Sequence, residues 1–194
     1  MAKKESTLLN MVITLFAITA ISSTSLGFMY ELTKKPRAIA EETKQNFAIK
    51  AVLSDFDNNP SEGAYDIESF DGGNRLTCYT GTKNGELTGI AVKTWTTNGF
   101  RGLIRLMVGF DKTGNIINIS VLEHKETPGL GTKIADAEFK DQYRDKNPGT
   151  YNIAVKKDYG EIDAITAATI SSRAFSDAVN RAYKSLEKAE KFEK

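Results

Sequence analysis

The stretch Asp163–Ser172, DAITAATISS, has no charge after its first residue and consists almost wholly of small side chains and hydroxyls. It runs straight into a helical pattern. The first turn of a helix carries unpaired backbone N–H groups and the positive end of the macrodipole, so an anion there is stabilised without a lysine. Small residues such as Ala167 and Ala168 let a bulky group approach the backbone beside the threonine and serine hydroxyls. The spacing suits a phosphate at a helix start. A tightly packed strand-to-helix turn with hydroxyl caps fits the same residues, and on physical grounds alone it is the commoner outcome. A second stretch, Glu126–Lys133, ETPGLGTK, has Pro128, Gly129 and Gly131, which exclude helix and regular strand. The single cysteine, Cys78, and single histidine, His124, rule out an intrachain disulfide and argue against a Cys/His zinc cluster. Cys78 lies in LTCYTG and reads as a small buried strand residue rather than a nucleophile. His124 reads as a strand end.

Around these stretches the hydrophobic pattern predicts an antiparallel sheet. RLTCYTG and GIAVKTWTT flank Asn84-Gly85, a strong hairpin signal. GLIRLMVGFD and IINISVLEH flank KTGN in a second hairpin, and NGFRG joins the two, with Gly99 and Gly102 permitting unusual backbone angles or close approach. Trp95 and Phe100 read as core or rim aromatics. IADAEFKDQYRDK predicts a short helix and YNIAVKK a further strand. SSRAFSDAVNRAYKSLEKAEKFEK is an amphipathic helix with Phe175, Val179, Ala182 and Leu186 as its apolar stripe and Ser171 or Ser172 as its cap.

Towards the N-terminus, Leu8–Tyr30 holds 23 residues without a charge, flanked by Lys3 and Lys4 before and by Lys34, Lys35 and Arg37 after. At about 1.5 Å per residue, that length crosses a hydrocarbon core of about 30 Å. No small-residue cleavage site follows, so an anchor is expected rather than a cleaved signal. Positive charges on the two sides nearly match and do not orient it. After Pro36, which fits a helix start, Ile39, Phe47 and Ala51 share one face of a second helix; DNNPSEGAYD then reads as loop. Lys and Arg total 26 against 25 Asp and Glu, a net charge of +1 over 194 residues, which gives no support to a nucleic-acid partner. The expected organisation is α+β, an antiparallel sheet with flanking helices, preceded by one transmembrane helix: a stub at 1–7, the span at 8–30, a helical linker and loop at 31–74, and a domain with its C-terminal helix at 75–194.

DAITAAT, residues 163–169, resembles the flavin-attachment motif of FMN-binding domains: an Asp, two free positions, Ser or Thr, usually Gly, then Ala-Thr. Asp163, Thr166, Ala168 and Thr169 match, and Ala167 stands where Gly is usual. ETPGLGTK resembles the glycine-rich signature of the same family, and residues 98–131 resemble the strands that precede it. The resemblance covers Arg75 to about Phe175 and, in layout, the anchor. Members with this layout are the G subunit of the Rnf electron-transport complex and the C subunit of the sodium-pumping NADH:quinone reductase, and the short chain favours the first. The resemblance implies FMN joined through its phosphate to the Thr169 hydroxyl by a flavin transferase. It implies a pocket walled by Glu126, Thr127, Gly129, Leu130 and Gly131, with Thr166, Ala168 and Ser171 at the phosphate and Lys133 offsetting its charge. It further implies electron flow between ferredoxin and NAD coupled to ion transport, the other subunits of a membrane complex as partners, and a single pass through the inner (cytoplasmic) membrane lipid with the FMN domain on the extracytoplasmic side. Two other readings keep part of the pattern: a membrane-anchored envelope binding protein without flavin, and a membrane-bound FMN reductase. The second lacks any nucleotide-binding glycine fingerprint after a predicted strand.

Overall fold

Leu8–Val52 forms one helix, α1, of 45 residues with Pro36 inside it. Pro36 therefore does not begin a second helix. It removes one backbone donor, leaving the Leu32 carbonyl without its usual partner. Leu32 and Pro36 are both exposed, so the helix passes through. The computed structural model describes residues 7–53 and 55–192, so the expected stub, apart from Thr7, lies outside them. The N-terminal part of α1 is long and apolar enough to cross a membrane. The chain divides into two units, residues 1–43 and 44–194.

The second unit is built on a five-stranded antiparallel meander, β1 Tyr65–Ile67, β2 Leu76–Lys83, β3 Glu86–Gly99, β4 Gly102–Phe110 and β5 Ile116–His124, paired in chain order. Asn84 (φ 54°) and Gly85 (φ 82°) make the β2–β3 turn, both left-handed as a two-residue hairpin turn requires. β1 falls in the stretch expected to be loop. Three residues, with Asp66 at their centre and Gly63 just before them, give no period to detect, and pairing with β2 alone makes them a strand. YNIAVKK is not a strand: it contributes one isolated parallel bridge, Val155 to Ile162. The expected short helix is a single turn, α2 Ala137–Lys140, between two 3-10 turns.

Alternation along the strands sorts side chains to two faces. Leu106 and Val108 of β4 join Val92, Ile104 and Phe110 against α3, Thr169–Lys188, which buries Phe175, Val179, Ala182 and Leu186. Met107 points the other way, with Tyr79, Ala91 and Leu122, and meets Ala48, Ile49, Val52 and Leu53 at the end of α1. Phe47 and Ala51, expected on the packed face, are exposed; the sheet takes the neighbouring face, 48, 49 and 52. Apolar content alone does not choose between adjacent faces of a helix this rich in alanine.

The close approach at Gly109 fixes this second layer. A Cβ there would run into the Val52 carbonyl and its side chain. Gly109→Ala is expected to lower the stability of the domain by about 1–3 kcal/mol, the usual range for overpacking, as read by denaturant titration of the full chain in detergent.

Candidate functional site

Three pieces of chain converge on one carboxylate. Glu126, just past the end of β5, is 4 % exposed. Its Oε1 accepts the Arg101 backbone N–H at 3.1 Å, from the β3–β4 turn. Its Oε2 accepts the Ser171 hydroxyl at 2.6 Å, from the first turn of α3. A Cβ at Gly99 would lie 2.7 Å from Oε1 and one at Gly131 2.6 Å from Oε2, so both positions need glycine for the carboxylate to sit between them. The loop closes on itself: the Leu130 N–H donates to the Thr127 carbonyl at 3.2 Å, and the Gly129 N–H donates to the Thr132 hydroxyl at 3.0 Å. Gly129, at φ 75°, makes the bend. The His124 Nδ1 accepts the Glu126 backbone N–H at 3.3 Å.

This convergence leaves a cavity of about 320 Å³ lined by Phe100, Glu126, Thr127, Leu130, Gly131 and residues 167–171. Phe100, Leu130 and Ile170 are 63 %, 42 % and 47 % exposed. Large apolar side chains left in solvent around one small cavity suit a flat, largely apolar ligand. At its floor α3 begins without any side-chain cap; its N-cap is Ala168. Neither Ser171 nor Ser172 caps the helix, because both lie inside its first turn. The Ser172 hydroxyl donates to the Ala168 carbonyl and accepts the Ile165 N–H, each at 3.0 Å, and the Ser171 hydroxyl is spent on Glu126. Among the described residues the Thr169, Ile170 and Ser171 N–H groups of this uncapped turn have no partner and are open to an anion, while the Ser172 N–H donates to the Ala168 carbonyl at 3.0 Å. Ala167 has φ 62°, the left-handed region, which turns the chain into the helix. That geometry explains why glycine is usual at the position.

Of the residues singled out in the sequence, Glu126, Thr127, Leu130, Gly131, Ala168, Thr169 and Ser171 meet around this cavity. Gly129 shapes the loop without lining it. Thr166 and Lys133 line a separate depression of about 220 Å³, with Asp136, Phe139 and Gln142. Thr169 is half-buried, and its Oγ1 accepts a hydrogen bond from Lys157 Nζ at 3.2 Å. Asp163 stays outside the cavity and pairs with Lys156 at 2.8 Å. Cys78 is fully buried in the sheet, and burial pushes its thiol up to about 12. Trp95 lies under the Arg181 guanidinium, 4.9 Å from its ring centre, away from the cavity lining. The sequence did not mark Phe100 and Ile170 as lining residues, nor Lys157 as the hydrogen-bond partner of the Thr169 hydroxyl. For Ile170 a signal existed: it stands off the buried stripe of α3, where an apolar residue has no core to enter.

Residues 99–184 match the family model described as FMN-binding domain. The chain is 35 % identical over 180 residues to the G subunit of the ion-translocating oxidoreductase complex of Vibrio vulnificus, covering 84 % of this chain and 82 % of that protein. It is 31 % identical over 188 residues to the G subunit of the Na(+)-translocating ferredoxin:NAD(+) oxidoreductase complex of Acetobacterium woodii, covering 90 % of each. The crystal structure of the C subunit of the Na(+)-translocating NADH-quinone reductase from Parabacteroides distasonis shares the fold, with a TM-score of 0.59 at 14 % identity over 80 % of this chain and 94 % of that one.

Two substitutions probe the frame. Glu126→Ala strands the Ser171 hydroxyl and the Arg101 N–H and is expected to cost about 1–3 kcal/mol, measured by urea unfolding. Ala167→Gly relieves a left-handed alanine and is expected to raise stability by about 1 kcal/mol in the same assay.

Proposed function

This chain belongs to the G-subunit family of ion-translocating oxidoreductase complexes, and on that premise we propose that it carries electrons on an FMN esterified to Thr169. The protein is an electron-transfer subunit of a membrane complex in which electron flow between ferredoxin and NAD is coupled to ion translocation. It is a carrier within an oxidoreductase rather than an independent catalyst. The equivalent place in a sodium-pumping quinone reductase has only fold likeness behind it.

The residues present fit FMN. The cavity offers apolar side chains at Phe100, Leu130 and Ile170 for a flat ring. The half-buried Thr169 hydroxyl, at an uncapped helix start beside an ammonium group, offers a seat for a phosphate. FMN, when bound, supplies a centre that takes up and gives back one or two electrons. Thr169 would serve as the acceptor: its Oγ1 forms the bond to phosphorus and gives its proton to a base of the transferase, while the phosphoanhydride bond of a flavin dinucleotide donor breaks and the donor's other half leaves as a nucleoside monophosphate. A flavin transferase carries out that step. Glu126 holds the glycine-rich loop against α3, so the cavity walls keep their spacing. Thr127 and the loop backbone present polar groups beside the apolar ones. The 320 Å³ cavity between both motifs, with a half-buried threonine hydroxyl in its lining, is the observation that carries this reading.

The same membership supports a placement in the membrane. We propose that Leu8–Tyr30 makes a single pass through the inner (cytoplasmic) membrane, with residues 1–7 on the cytoplasmic side and the FMN domain on the other. Partners are the other subunits of the complex, the transferase during maturation, and membrane lipid. A covalent bond suits a flavin held outside the cytoplasm, where a lost cofactor has no pool to replace it. The test is denaturing electrophoresis of full-length protein produced with a flavin transferase. A fluorescent band is expected for the wild type and none for folded Thr169→Val. A fluorescent Thr169→Val band would move the attachment elsewhere, and a dark wild-type band with unmodified intact mass would remove the covalent flavin.

A further inference from the structure

The phosphate seat has a cation that neither motif contains. Three basic side chains lie in the loop at residues 152–163 and the first turns of α3 that it contacts. Lys156 pairs with Asp163 at 2.8 Å. Arg173, one turn into α3 beyond Thr169, holds Asp158 with two hydrogen bonds at 2.6 and 2.7 Å. Lys157, between those two ion-paired neighbours, has no carboxylate within ion-pair distance among the described residues and donates instead to the Thr169 hydroxyl at 3.2 Å. Lys133, the cation expected from sequence to offset the phosphate, lines the other depression.

The loop is built to hold this position. The Lys156 N–H donates to the Ile162 carbonyl at 2.8 Å, the Ile162 N–H returns to the Ala154 carbonyl at 3.1 Å, and the Glu161 N–H reaches the Asn152 carbonyl at 3.0 Å. Gly160 packs so closely against the Ala154 backbone that a Cβ would collide with it, and Tyr159 turns through a left-handed φ of 63°. The Asp158–Arg173 pair then fastens the loop to α3 next to the acceptor. Two cations are neutralised and do the fastening. The third meets a neutral hydroxyl, a weak partner for an ammonium compared with a phosphate oxygen.

We propose that Lys157 is the phosphate-binding residue of this site: its ammonium pairs with the charged oxygens of the phosphate ester at Thr169. This role rests on the reading of Thr169 as the attachment point and adds the residue that receives the charge created there. Before attachment, the same ammonium attracts the incoming phosphate and holds the hydroxyl. Lys157 is exposed, so solvent screening keeps its effect moderate.

The experiment uses the full chain with purified flavin transferase and its flavin donor, comparing wild type, Lys157→Ala, Lys157→Arg, Lys157→Met, Lys133→Ala and Thr169→Val. Attachment is followed by intact mass, folding by circular dichroism, and the attached ester by its phosphorus-31 resonance. Lys157→Ala is expected to attach flavin roughly tenfold more slowly and to shift the phosphorus resonance. Lys157→Arg should stay within a few-fold of wild type, and Lys133→Ala should change neither readout. If Lys157→Ala unfolds, Lys157→Met, which keeps the stem and loses the charge, takes its place. Complete loss of attachment in a folded variant, restored by Lys157→Arg, also supports the proposal. Wild-type rates in Lys157→Ala would overturn it, as would a slowed reaction with an unmoved resonance, which would put Lys157 in transferase recognition instead. Absence of flavin from the wild type, or attachment to Thr169→Val, would sink the attachment reading itself and is seen separately from either result.

Discussion

The site depends on a buried carboxylate that holds together chain segments far apart in sequence. Glu126 receives a hydroxyl from Ser171, 45 residues later, and a backbone N–H from Arg101, 25 residues earlier. A buried charge is costly unless its oxygens are hydrogen-bonded. The fold meets that condition by bringing the β3–β4 turn and the helix start to the same point. Gly99 and Gly131 are required on steric grounds, since either Cβ would occupy the space of a carboxylate oxygen. The glycine-rich loop and the small-residue stretch are thus two sides of one joint.

The sheet and α3 supply the rigid parts of that joint. β3 and β4 pair over most of their length, ending at Gly99 opposite Gly102, so Phe100 and Arg101 are presented at a fixed place. The buried stripe of α3 sets its rotation. With Phe175, Val179, Ala182 and Leu186 facing the sheet, Ser171 points inward to Glu126, while Ile170 and Arg173 are left exposed. Thr169 falls at the boundary, half-buried. Core packing at the far end of the helix therefore decides which hydroxyl is used for structure and which remains available for chemistry.

Much of this was legible in the sequence, for identifiable reasons. The hairpins carry their own turn signals, and Asn84-Gly85 adopts the backbone its residue types favour. The last helix has a clear apolar period. Both motifs are local, and part of each lines one cavity, while Thr166 and Lys133 line another depression. Features that depend on tertiary pairing were not legible. β1 exists only through β2. Pro36 reads as a helix start but sits inside an exposed helix that tolerates it. Ser171 and Ser172 look like caps, yet their hydroxyls are committed elsewhere. Lys157 lies 12 residues from Thr169 on a loop whose closure comes from backbone hydrogen bonds and an ion pair, none of which has a sequence period.

Placing an acceptor hydroxyl for enzymatic modification sets two opposed demands, exposure for the modifying enzyme and rigidity for the finished cofactor site. The chain divides them between adjacent residues of one helical turn. Ser171 is buried and locked to Glu126, which fixes the backbone of the turn. Thr169 shares that backbone, and its side chain stays half-buried, its hydroxyl bonded among the described residues only to a solvent-exposed lysine. The left-handed Ala167 lets the chain turn sharply enough for the helix to begin at Thr169 itself. Beginning one residue later would put Thr169 in the cap position, where its hydroxyl would tend to bond the helix N–H groups. Starting the helix at the acceptor keeps both the hydroxyl and the N–H groups of the first turn available to the same phosphate.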